Sequence, residues 1–120
     1  MSCLFFADPI AKEHNPGPGH PEQIARWDAA VRGVGTARIT TPAARAATED
    51  ELALCHTRKY IRTARQDVAD HRSSLSTGDT DIGPRSFEAA TRAAGLCLNA
   101  VDQVLALGTD AFLNSKAAQS

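Results

Sequence analysis

SFEAATRAAGLCLNAVDQVLAL, residues 86–107, is the stretch on which the fold turns. Phe87, Ala90, Ala94, Cys97, Leu98, Val101 and Leu105 recur at intervals of three and four, so they line one side of a helix with 3.6 residues per turn. Ser86 is placed to cap such a helix and Gly108 to end it. The spacing predicts a long amphipathic helix. Beyond it, AFLN (111–114) has room for a short last strand, and SKAAQS (115–120) reads as a polar tail.

Working back from that helix, HRSSLSTGD (71–79) is a polar loop. Thr57 can cap a helix along which Tyr60, Ile61, Ala64 and Val68 share a side. Thr48 and Glu51 have capping-box spacing, with Leu52 and Cys55 as the expected buried face of the short helix they open. ARITTP (37–42) is a candidate strand closed by Pro42. CLFFA (3–7) is an apolar run halted by Asp8 and Pro9, the pattern of a buried first strand. Between these strands, HNPGPGHPEQIAR (14–26) is a stiff loop opening a helix at His20 or Pro21. Ile24, Trp27, Val31 and Val34 would be that helix's apolar stripe, and Gly33 and Gly35 its end. Strands alternating with helices predict the α/β class, here a short parallel sheet of about three strands with helices over it.

Composition narrows the function. At 120 residues the chain makes a single domain, and 13 basic against 14 acidic residues give no field that would attract a phosphate backbone. Nucleic acid is not an expected partner. No apolar run has the length of a membrane span, and CLFFA is too short for a signal-peptide core, so a cytoplasmic protein without membrane attachment is expected. Cys3, Cys55 and Cys97 are odd in number and widely spaced, which fits buried small hydrophobes rather than disulfides or a metal knuckle.

Few residues can carry chemistry. His14 and His20 flank a Pro/Gly loop and could converge on a metal, yet no third ligand stands at a recognisable spacing. A helix-capping role for His20, and a hydrogen bond from His14 to nearby backbone, explain the same residues. His56 fits a helix-end or core hydrogen bond, and His71 a solvated loop. Asp79 and Asp81 in GDTDIGP could be an acid and base or a cation site, though two carboxylates make a poor cage and Asp and Gly before Pro also make an ordinary turn. There is no GxSxG elbow, and Cys55 with adjacent His56 cannot form a dyad, since neighbours on a helix point apart. In GPGPGH, prolines replace amides that would cradle a phosphate.

Taken in order, HNPGPGHPEQIAR, ATEDELALCHTRKYI and DTDIGPRSFEAATRAAGLCLNAVDQVLA resemble the N-terminal portion of the histone deacetylase superfamily, over about residues 4–107. The likeness is to bacterial histone deacetylase-like amidohydrolases, acetoin-utilisation proteins and acetylpolyamine amidohydrolases. It implies an arginase/deacetylase-like three-layer α/β fold in which a zinc ion activates water to cleave an acetyl amide. In that family an RPPGHH motif, an Asp-x-His pair, a further Asp and a Tyr follow the long helix. AFLNSKAAQS stands here instead.

The resemblance therefore assigns no catalytic and no metal-binding residue to this sequence, and no cofactor is expected in it, although the family uses zinc. It implies that His20, Pro21 and Asp79 belong to the rim of the substrate channel. Glu22 and Arg26, four apart, become structural partners that tie the loop down, and His56 and Tyr60 become structural too. The expectation is a partial deacetylase-like domain over 1–114 with a tail over 115–120: a truncated homologue, inactive alone. A self-associating module is the alternative, paired through the long helix or the AFLN edge. A third expectation is pairing with a separately encoded remainder of the enzyme.

Overall fold

The computed structural model describes residues 5–35 and 45–117. Its elements are a 3-10 helix, Pro9–Glu13, and four α-helices: α1 Ile24–Val34, α2 Glu49–Leu52, α3 Arg58–Ala69 and α4 Ser86–Ala117. Among the described residues there is no β-strand, and extended pairing is limited to one antiparallel bridge between Ser74 and Asp81. The expected parallel sheet is thereby corrected to a helical arrangement. Residues 5–7 are irregular and 111–114 are helical, while residues 3–4 and the candidate strand 37–42 lie outside the described residues.

Two local causes explain the correction. Asp8 and Pro9 start a helix: the Asp8 carboxylate accepts the Ile10 N–H at 3.0 Å and Pro9 occupies the first turn, where its missing N–H goes unnoticed. An Asp-Pro pair that caps a 3-10 turn looks, in sequence, like one that breaks a strand. At the other end, the usual way a glycine stops a long helix is by turning left-handed. Gly108 keeps the helical conformation, so α4 runs on for 32 residues, about 48 Å, through AFLN.

The caps of the central helices follow the sequence closely. Thr48 Oγ1 accepts the Glu51 N–H at 3.2 Å while Glu51 Oε1 accepts the Thr48 N–H at 2.9 Å, a complete capping box. Thr57 Oγ1 accepts the Tyr60 N–H at 3.2 Å and starts α3. At the far end of α3, His71 takes φ 56°, and the Arg72 and His71 amides close on the Asp67 and Val68 carbonyls, each at 3.1 Å. This is a Schellman closure with histidine where glycine is usual. Helix α1 begins later than the sequence implies, at Ile24, because Pro21 and Glu22 stay in the bend before it.

Ala47, Ile61 and Ala89 form the buried apolar core. Helix α4 packs on the 3-10 helix and on α3, and the extended segment before α2 crosses it. There the Ala47 N–H donates to the Thr91 carbonyl at 2.8 Å. Gly95 makes the crossing feasible: a Cβ at that position would run into the Arg45 carbonyl oxygen and stand 2.8 Å from the Ala47 nitrogen. Cys55 and Cys97 are exposed free thiols, which corrects the expectation that they are buried; Cys55 lies past the end of α2, outside its apolar face. No helix among the described residues is long and apolar enough to cross a membrane.

Candidate functional site

The loop between the 3-10 helix and α1 gathers most of the chemistry-bearing residues. Its shape comes from Gly17 and Gly19, at φ 100° and 82°, alternating with prolines that hold φ near −65°. Asn15 Oδ1 accepts the Gly17 N–H at 3.1 Å and fixes the first bend. His20 Nδ1 accepts the Glu22 N–H at 3.0 Å and fixes the second.

Long-range contacts then fasten this lip to the rest of the molecule. His14 Nδ1 and Ser86 Oγ lie 2.7 Å apart, a hydrogen bond between residues 72 positions apart in sequence. Ser86 is buried and also accepts the Gly83 N–H at 2.8 Å, so its hydroxyl reaches back into the turn instead of capping α4 forward. The other nitrogen of His14, Nε2, faces Glu22 Oε2 at 3.5 Å. Because His20 Nδ1 is used as an acceptor, its neutral ring carries the proton on Nε2, which faces Asp81 Oδ2 at 3.6 Å. Arg26 donates to the Pro21 carbonyl at 3.3 Å. Glu22 and Arg26 both tie the loop down, each to a different group: Glu22 to His14 and Arg26 to Pro21.

Asp79 is exposed two residues before Asp81 and takes no part in these contacts. His56 and Tyr60 meet as tilted rings 5.3 Å apart. Together with His14, Glu22, Leu52, Ile61, Ala64 and Phe87 they line a cavity of about 570 Å³.

Asp67 is the residue that sequence reading missed. It is buried on α3, and its Oδ2 accepts the Ser76 N–H at 2.7 Å and the Ser76 hydroxyl at 2.8 Å. The Ser76 amide, then its hydroxyl, hold the Asp67 carboxyl below the usual carboxylate range against the opposing effect of burial. Asp67 thus pins the loop that carries Asp79 and Asp81. The available signal was a carboxylate three residues after Ala64, on the inner side of an amphipathic helix.

The zinc that the sequence resemblance implies takes about three protein ligands and keeps an open position. The described residues contain no group of three or more His, Cys, Asp or Glu side chains that could hold a metal ion. His14–Glu22 and His20–Asp81 are two-donor pairs. These residues do not fit a catalytic zinc site.

A family model, the histone deacetylase domain, matches residues 20–116. Among solved structures, the crystal structure of the HDA15 HD domain superimposes with a TM-score of 0.68 at 28% sequence identity, covering 82% of this chain. The chain spans 31% of the length of that solved domain. No match was found among curated proteins.

Proposed function

This chain belongs to the histone deacetylase domain family, and we propose that its 120 residues form the lip and helical scaffold of a deacetylase domain and do not hydrolyse an acetyl amide by themselves. The observation that carries the reading is the donor set: two separate histidine–carboxylate pairs among the described residues, with no third ligand beside either. Water bound to zinc becomes a nucleophile at neutral pH only when the protein holds the ion with its open position facing substrate. Here the histidines are used differently. His14 ties the lip to the start of α4 and His20 ties it to Asp81, which sets where a channel wall stands.

In this reading His20 and Pro21 border the channel, and exposed Asp79 is the carboxylate free to accept an amide N–H from an acetyl-lysine or acetylpolyamine substrate. The family's chemistry supports that substrate class. The test is release of acetate from an acetyl-lysine peptide and from an acetylated polyamine by the purified chain in zinc-containing buffer. No turnover above the uncatalysed rate is expected, and turnover abolished by a hydroxamate would overturn the proposal.

A further inference from the structure

His14, Glu22 and Ser86 come from three places in the chain, the end of the 3-10 helix, the bend before α1 and the start of α4, and all three line the cavity of about 570 Å³. Ser86 Oγ lies 2.7 Å from His14 Nδ1, and His14 Nε2 lies 3.5 Å from Glu22 Oε2. An ionised carboxylate can only accept, so the proton of the neutral imidazole sits on Nε2 and Nδ1 is left as an acceptor. Ser86 Oγ already accepts the Gly83 N–H at 2.8 Å, and its own proton is the one shared with Nδ1. A hydroxyl held against a base that a third group orients is the arrangement of an activated nucleophile. Ser86 also opens α4, so the Phe87 and Glu88 amides have no carbonyl partner within that helix and can receive a developing oxyanion.

We propose that Ser86, with His14 as its base and Glu22 as the group that positions the base, is the nucleophile of an esterase site for a neutral ester with an apolar acyl group. The lining selects the substrate class. Among the described residues that line the cavity Glu22 alone is charged, while Leu52, Ile61, Ala64, Phe87 and Ala90 supply apolar wall, and the volume suits a small molecule. Ser86 Oγ bonds to the ester carbonyl carbon as its proton passes to His14 Nδ1, and the carbonyl oxygen takes the negative charge. When the intermediate collapses, the bond from carbon to the alkoxy oxygen breaks and His14 returns the proton to the departing alkoxide, which leaves as the alcohol. Water then gives its proton to His14, attacks the acyl-serine and releases the carboxylic acid with Ser86 restored. The step draws on no metal and acts on esters, so it stands apart from the acetyl-amide chemistry of the family.

Phenylmethanesulfonyl fluoride, which sulfonylates activated serines, and p-nitrophenyl butyrate test the site on the full chain in buffer containing EDTA. A sulfonyl adduct on Ser86, located by peptide mass spectrometry, and ester hydrolysis that this adduct abolishes are expected. His14→Gln should slow both reactions by about a hundredfold, the loss of a general base. Glu22→Gln, which acts through His14, should lower kcat by about tenfold and leave KM unchanged. Circular dichroism checks that both variants keep their helices; should His14→Gln unfold, the exposed Glu22 site carries the comparison alone. A parent chain without an adduct on Ser86 overturns the proposal whatever esters it cleaves, and so does either folded variant that reacts as fast as the parent.

Discussion

The two halves of α4 share one helix but not one environment. In the first half Ala89 is buried, Gly95 lies against the backbone of residues 45–47, and Ser86 holds the lip through His14. In the second half all of residues 101–108 are exposed. Helical periodicity is equally clear in both, so the pattern that identifies a helix says which side wants cover and not whether cover is present.

Glycine substitutions break this comparison most sharply. Gly95→Ala places a methyl group against the Arg45 carbonyl and should cost about 3 kcal/mol, as overpacking against an immovable backbone does. Urea denaturation monitored by circular dichroism measures it, and a cost under about 0.5 kcal/mol would show that the crossing is loose. Ser86→Ala leaves the Gly83 amide and His14 without their shared oxygen, at about 2 kcal/mol for a buried site, with the lip amides near Gly17 and Gly19 exchanging faster with solvent. In the open half the sign reverses. Gly108→Ala meets open space and should stabilise the chain by about 1 kcal/mol through helix propensity alone.

The smallest effect concerns the segment that crosses the first half. Arg45, hydrogen-bonded to Glu51 at 2.8 Å on both carboxylate oxygens, and the Thr48 amide hold the Glu51 carboxyl down at about 2. A carboxyl depressed in the folded state contributes stability above its unfolded value, near 4.5, and loses it as pH falls toward about 2. The stability difference between the parent and Glu51→Gln should thus be constant above pH about 5 and disappear between there and pH about 2. Thermal melts across that range measure it; a difference that does not change with pH would mean the pair contributes nothing at Glu51.

Signals confined to a few residues were legible in the sequence. Thr48 with Glu51, and Thr57, are local hydrogen-bond geometries that need no tertiary partner, and both stand where the sequence places them. Readings that depend on a neighbour element fared differently. AFLN and CLFFA are apolar runs too short for periodicity to separate strand from helix. The exposure of Cys55 and Cys97 depends on what packs beside them.

At the candidate site the stiff Pro/Gly loop is legible, but the sequence opens the helix at His20 or Pro21, whereas Pro21 and Glu22 stay in a bend before Ile24. The His14–Ser86 bond is not legible, since nothing at a spacing of 72 residues marks two side chains that meet only after the chain has folded. Asp81 takes the contact with His20 because its bridge with Ser74, in a loop held by Asp67, aims it at the lip, and Asp79 is left exposed.

The central claim, that these residues supply a lip and scaffold without a zinc-holding set, is tested most directly by equilibrium dialysis of the purified chain against zinc, with the metal counted by atomic absorption. The account predicts no zinc retained after dialysis against a weak chelator, because a two-donor pair releases it. One tightly held zinc per chain, lost on substituting His14 or His20, would contradict it.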